Sequence, residues 1–391
     1  MTGHRADVAP RLTWPAVTAR RLRRQGLAEP FDDASPADVV AAMCGAHAQV
    51  LSAAELSICV RLAGATRADV RAALWSERSL VKTFGPRGTV HLLPTSDLAM
   101  WTGALSAVPA PTNGMPPEIR LSPEQTDEVV AAIENVLADA ELTVDELTEG
   151  IVATTGAWAG ELVMPAFQVM WPRWRQVMAT AAHRGALVFG ANRGRKVTYT
   201  NPHRWSPGLV PAEGGAASDD LLRRYLRAYG PATPAHYAKW LAAPLGWASE
   251  RFDAIRHDIQ EIDLDGTRAW VNVADVEAGH GAPSGVRLLP YFDAYSVAAQ
   301  PREWVFPGRA SERALAGGQA GNFPVLLVDG VVAGVWHQRR SGRRIDVTVE
   351  PLEQLTAEHR DQLADQVDRV ADILEGRPTL TIGPVAVGAH A

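Results

Sequence analysis

Residues 80–94 read LVKTFGPRGTVHLLP: two runs of apolar and β-branched residues on either side of a Pro-Arg-Gly turn, which is the pattern of a β-hairpin. Three helix-start signals precede it. Ser35-Pro36 places proline at the first helical position, and Ser52 with Glu55, then Thr66 with Asp69, each set a capping hydroxyl three residues before a carboxylate. Helix, helix, helix, hairpin is the order of a winged helix.

The same order recurs twice. Ser122 with Gln125 and Thr143 with Glu146 mark two helix starts. A longer helix is expected through 164–185, MPAFQVMWPRWRQVMATAAHRG, closed by Gly185, and the hairpin ALVFGANRGRKVTYT follows. A third, shorter pass runs from DDLLRRYLRAYG through Thr233-Pro234 and WASERFDAIRH to QEIDLDGTRAWV, which turns at Asp-Gly. From about residue 281 short β runs closely punctuated by Gly and Pro take over, broken by one amphipathic helix near 357–376. The expected fold class is α+β. Three tandem winged-helix units over 1–115, 116–210 and 211–280 precede a β-rich, barrel-like domain over 281–391.

Composition sets outer limits. The 391 residues, 47% hydrophobic and 21% charged, suit a globular chain of two to four units. Neither a signal sequence at the amino terminus nor an apolar run of about 20 residues is visible, so a cytoplasmic protein without a membrane span is expected. Cys44 and Cys59 fall in apolar helical patterns and read as buried thiols. His183, His203, His236, His257, His280 and His337 share no metal-ligand spacing, and no phosphate-loop ending is present, so no metal and no cofactor is expected.

A net charge of -6 argues against a nonspecific nucleic-acid coat, which leaves local clusters to decide. Arg193, Arg195 and Lys196 gather in one hairpin turn, and Arg339, Arg340, Arg343 and Arg344 surround a Ser-Gly turn. Both clusters read as solvated turns or as grips on DNA phosphates. Arg20, Arg21, Arg23 and Arg24 spread over more than one helix face and read as solubility residues. Trp171 and Trp174 read as core, with stacking on a base as the other option.

Residues 44–55, CGAHAQVLSAAE, hold the chemistry. In a helix, positions 47 and 49 would point about 200° apart. Gly45, however, has the character of a residue just past a helix end, and Ser52 that of the next cap. An extended connector between them turns His47 and Gln49 to one side and Ala48 inward. The pair then either faces a cavity or caps the backbone of neighbouring helices.

The element order, with TFGPRGTVHLLPTSDLAMW, LLPYFDAY and LVDGVVAGVW, resembles the winged-helix superfamily of bacterial DNA glycosylases typified by AlkZ. That family's catalytic motif is glutamine, an apolar residue, then glutamine, or aspartate at the end in another branch. Here it reads His47-Ala48-Gln49, so the second glutamine carries over to Gln49 while histidine stands at the first position. The resemblance implies a monofunctional DNA glycosylase that hydrolyses the N-glycosidic bond of N7-alkylated purines, bulky or cross-linked ones included, in repair or in self-resistance to a genotoxic natural product. It further implies a monomer acting on double-stranded DNA. Gln49 would position the attacking water, and His47 would orient it or take its proton. The basic hairpins become DNA contacts on this reading. A winged-helix transcriptional regulator without catalytic activity is the alternative. It is disfavoured by the acidic net charge and by the lack of a strongly basic third helix in any repeat.

Overall fold

Strand β1 (Arg11–Leu12) leads into α1 (Trp14–Arg24) and α2 (Pro36–Ala42) in a computed structural model that describes residues 10–389 apart from 111–113, 167–168 and 277–280. His280 lies outside the described residues. Ser35 caps α2 as expected, its Oγ accepting from the Asp38 amide at 3.2 Å. The helix stops because Cys44 and Gly45 both turn left-handed, at φ 54° and 95°. The Gly45 amide then returns to the Val40 carbonyl at 2.9 Å, satisfying an end the helix leaves open. After this stop come β2 (Ala46–His47), α3 (Leu51–Cys59), α4 (Arg67–Trp75), β3 (Leu80–Phe84), β4 (Val90–Pro94) and α5 (Leu98–Ala107). Their sheet runs β2-β4-β3.

Ser52 is not the cap of α3. Val50 holds that position without a side-chain bond. Glu55 is instead buried and bonded to Arg67 at 2.5 Å and to Arg71 at 2.7 Å, because two guanidiniums solvate a buried carboxylate better than a helix end does.

Next come α6 (Pro123–Leu137), β5 (Glu141–Thr143) and α7 (Val144–Thr155), with both expected capping boxes formed. The long helix expected over 164–185 is absent. Strands β6 (Leu162–Ala166) and β7 (Val169–Pro172) form a hairpin, a short 3-10 turn follows, and only α8 (Met178–His183) is α-helical. Pro165 and Pro172 lack the amide donor a helix interior needs, which accounts for the break. Trp174 is fully buried, whereas Trp171 sits under the Arg175 guanidinium, 3.6 Å from the ring centroid. Strands β8 (Val188–Phe189) and β9 (Thr198–Thr200) complete a sheet of order β5-β9-β8.

The third pass comprises α9 (Gly214–Tyr229), α10 (Pro234–Leu241), α11 (Leu245–Ala254), β10 (Ile259–Leu264) and β11 (Thr267–Asn272). Its sheet takes in β1, parallel to β10. Arg20 and Arg21 are accordingly buried rather than serving solubility. Arg20 donates to the carbonyls of Asp275 and Gly230, and Arg21 to that of Pro231, while Arg24 pairs with Asp275 at 2.6 Å. These long-range partners lie more than 200 positions away in sequence, beyond the reach of any local pattern.

The carboxy-terminal part contains β12 (Val286–Leu289), α12 (Ala294–Ala298), α13 (Arg302–Val305), α14 (Arg309–Ala314), β13 (Val325–Val328), β14 (Val331–Ser341), β15 (Arg344–Pro351), α15 (Ala357–Ile373) and β16 (Arg377–Ile382). The strands form one open sheet in the order β12-β13-β14-β15-β16, not a closed barrel. Helix α15 carries the chain back so that β16 adds parallel to β15, which leaves β12 and β16 at opposite edges. The tip of the β14–β15 hairpin is Gly342-Arg343, since Ser341 pairs with Arg344.

One apolar core runs through α2, α3 and this sheet, joining Val39, Met43, Leu56 and Ile58 to Leu326, Trp336 and Val347. A second joins α5 to α9 and α10 through Trp101, Leu221, Tyr225 and Trp240, and residues 129–199 have a core of their own, met by Phe84 and Val90 of the first hairpin. Among the described residues no helix is long and apolar enough to cross a membrane.

A polar bolt crosses the first core. Arg61 grips Asp293 with Nη1 at 2.8 Å and Nη2 at 2.7 Å, and both side chains are fully buried. Ser57 Oγ at 2.6 Å and the Tyr295 amide at 3.0 Å satisfy the remaining carboxylate lone pairs. Removing one partner leaves an uncompensated buried charge, so Asp293→Ala is expected to lower the urea-unfolding free energy by about 3–5 kcal/mol.

Candidate active site

The connector after α2 is extended because it is a strand. His47 pairs with His91 of β4, and the Ala48 amide donates to the Val90 carbonyl at 2.7 Å. Side chains alternate along it: Ala48 is fully buried, while His47 and Gln49 both line a single cleft of about 400 Å3. Gln49 is exposed at its mouth and His47 is half-buried. The opposite walls come from the first hairpin (Arg87), α10 (His236, Lys239, Trp240) and the segment after β12 (Phe292, Arg302).

The His47 imidazole is held between rings. Phe292 stacks on it at 4.9 Å and 18°, and His91 lies at 4.9 Å and 56°. Burial, aided by the nearby Arg87 charge, pushes His47 down to about 4, so it is neutral at pH 7. Its Nδ1 is buried without a hydrogen-bond partner. His91, fully enclosed, lies well below the ordinary histidine value for the same reason, and its Nδ1 meets the Thr89 carbonyl at 2.9 Å. Burial likewise takes His183 and His236 to about 4.

Around these neutral groups the cleft carries Arg87, Lys239 and Arg302, and among the described residues no carboxylate lines it. Arg87 sits at a left-handed tip of the first hairpin, φ 62°, and donates to the Trp240 carbonyl at 2.7 Å. Arg302 donates to the carbonyls of Ser296 and Val297. The chemistry on offer is an amide, a neutral imidazole and fixed positive charge, suited to holding water beside a polyanion. Among the described residues no three His, Cys, Asp or Glu side chains gather as a metal site would require. Cys44 and Cys59 are both buried, and burial raises both thiols, Cys59 to about 12.

The basic hairpins lie apart from this cleft's walls, and their members differ. Arg193 is paired with Glu146 at 2.8 Å and Lys196 with Asp145 at 2.9 Å, both partners on α7. On the β14–β15 hairpin, Arg340 donates to the carbonyls of Gly342 and Leu374, and Arg344 pairs with Asp346. Arg195, Arg339 and Arg343 are exposed and form no ion pair among the described residues.

Sequence reasoning missed Phe292, Arg87 and Arg302 as walls of the site. Arg87 stands in the Pro-Arg-Gly turn and Phe292 lies within the quoted LLPYFDAY stretch, whereas nothing local marks Arg302.

A cationic cleft with a paired imidazole and amide, set beside β-hairpins, is a site for a nucleic-acid-directed enzyme. The model of the family described as DNA glycosylase AlkZ-like matches residues 40–373, and the chain belongs to that family. It is therefore a DNA glycosylase whose substrate is DNA, and the regulator alternative falls away. The chain is 32% identical over 340 residues to the interstrand DNA cross-link repair glycosylase of Streptomyces sahachiroi, across 83% of this chain and 87% of that one. The solved structure of Streptomyces sahachiroi DNA glycosylase AlkZ matches with a TM-score of 0.83 at 29% identity, covering 95% of this chain and 100% of that one.

The buried histidines set a pH dependence of stability. His47, His183 and His236 titrate near 4 in the fold, against an ordinary 6.5. Between those values the unfolded chain binds protons that the folded one refuses, so stability is complete above 6.5 and is lost as pH falls toward 4. The thermal midpoint is expected to drop between pH 7 and pH 5, before most carboxylates titrate, and to drop less in His183→Asn.

Proposed function

We propose that the enzyme hydrolyses the N-glycosidic bond of N7-alkylated purines, bulky and cross-linked adducts included, by attack of water at C1′ of the deoxyribose. The observation that carries this reading is the projection of His47 and Gln49 from one extended segment into a cleft that no carboxylate lines among the described residues. Alkylation at N7 gives the purine a positive charge. The electron pair of the breaking C1′–N9 bond neutralises it, and the base departs without a general acid. The water oxygen bonds to C1′ and releases its proton to solvent.

What remains for the protein is to place that water and to tolerate an oxocarbenium-like transition state. Gln49 accepts a hydrogen bond from the water through its amide oxygen and cannot abstract a proton. His47, neutral at pH 7 with a value of about 4, accepts a hydrogen bond but is a weak base. Orientation is therefore its larger contribution, below the roughly 10²- to 10⁴-fold of a matched general base.

The same reading extends to repair of interstrand cross-links, because a relative bears that name, and to self-resistance against a genotoxic natural product. In it the chain acts as a monomer. The helix-and-hairpin passes over 1–115, 116–210 and 211–280 serve as winged helices on double-stranded DNA, with β1 crossing from the first to the third, and the sheet domain over 281–391 backs them. Arg343 at the hairpin tip, Arg339 farther back on β14 and Arg195 of the second hairpin are free to meet phosphates. Arg193, Lys196, Arg340 and Arg344 would first exchange partners they already hold.

Purified enzyme incubated with DNA bearing N7-methylguanine or a bulky N7 adduct is expected to release the modified base and leave alkali-labile sites. Gln49→Ala is expected to slow release by about a hundredfold or more, and His47→Ala by less. Gln49→Ala at the wild-type rate with His47→Ala inactive would reverse the roles. In salt-titrated binding, Arg339→Ala and Arg343→Ala are each expected to weaken affinity across sequences and reduce the salt slope by about one, with a smaller effect for Arg344→Ala.

A further inference from the structure

Phe292 has an unusual backbone for a bulky residue, left-handed at φ 55°. Its amide donates to the Gly321 carbonyl at 3.0 Å, and the next residue is Asp293, locked by Arg61. Gly321 leaves room for the ring. A Cβ at position 321 would lie 2.8 Å from Phe292 Cδ1 and 3.2 Å from its Cα, at a backbone φ of 98° that already favours glycine. A left-handed phenylalanine persists only where its surroundings over-determine it, and such strain concentrates at functional positions. Here the consequence is specific. The ring is delivered onto the face of His47, nearly parallel to it, and also forms part of the cleft wall.

We infer that Phe292 is a positioning residue for base excision: its ring, fixed by the Asp293 anchor and the Gly321 gap, sets the plane of the His47 imidazole and excludes water from one of its faces. This rests on the reading of His47 as a water-orienting group. A ring stacked at this tilt restricts rotation of the imidazole about χ2, so the edge it presents to the nucleophilic water keeps one direction. The charged and titratable groups facing His47 all work in the same sense. Arg87 on the first hairpin disfavours a charge on it, the His91 ring on β4 helps to bury it, and the cleft adds His236, Lys239 and Arg302 without any carboxylate among the described residues. The Phe292 stack keeps out the solvent that would otherwise relieve them.

The test follows the His47 ring by NMR titration in the DNA-free enzyme and, separately, single-turnover release of N7-methylguanine. Phe292→Leu, which keeps apolar bulk and loses the plane, is expected to move the His47 titration from about 4 toward 6.5 and to slow single-turnover release roughly ten- to a hundredfold with DNA affinity unchanged. Phe292→Tyr restores both. Gly321→Ala, which crowds the ring without altering its chemistry, is expected to reproduce the Leu effect in a chain that still melts cooperatively. Unchanged His47 titration and unchanged release in Phe292→Leu would overturn the inference. A shifted titration with unchanged release would overturn it too, leaving Phe292 as a clamp on a ring that base excision does not use.

Discussion

The site depends on one buried ion pair. Arg61 follows α3, the helix that begins just after the connector bearing His47 and Gln49, and Asp293 follows Phe292 on the far wall of the cleft. Joining them fixes the distance between the two sides of the cleft. Burying two charges is costly, and the cost is offset only because every carboxylate lone pair is used: two guanidinium nitrogens, the Ser57 hydroxyl and the Tyr295 amide. A pair of apolar side chains could fill the same volume. It would not dictate the register that holds Phe292 in a left-handed turn, a conformation costing roughly 1–3 kcal/mol.

From that anchor the electrostatics of the cleft follow. Its imidazoles are kept neutral by burial, and its two arginines, Arg87 and Arg302, are tethered to carbonyls. Paired carboxylates would repel the phosphates of DNA and compete for those cations, and among the described residues none lines the cleft. The division of labour in the proposed reaction matches this inventory: DNA brings negative charge to a positive cleft, and the lesion brings its own electrophilic activation. The protein then needs only to orient one water.

Features encoded within a few residues were legible in the sequence. The helix starts at Ser35, Thr66, Ser122, Thr143 and Thr233 are set by local caps and hydrogen-bond exchanges, and the extended connector is announced by Gly45. The Asp265-Gly266 turn, left-handed at both residues, is likewise read from two letters. Features set by distant partners were not legible. Ser52 lost its expected role once Glu55 was drawn to Arg67 and Arg71. Arg20 and Arg21 became seam residues through carbonyls of the third pass. The sheet stays open because β16 pairs parallel to β15, which no single run of residues announces. At 164–172 the apolar spacing suggested a helix, although Pro165 and Pro172 were visible and should have weighed more. Phe292 lies within the quoted LLPYFDAY stretch, but its place on the cleft wall is set by a pair that spans 232 positions.

The central claim is that Gln49 and His47 hold the nucleophile beneath C1′. The most direct measurement is a crystal structure of the enzyme on duplex DNA carrying a cationic 1-azadeoxyribose at the lesion position, a mimic of the oxocarbenium ion. The account predicts an ordered water between the azasugar and the Gln49 amide oxygen, within about 2.6–3.2 Å of the latter and also in reach of His47. An azasugar seated away from β2, with both side chains facing only packed protein, would contradict it.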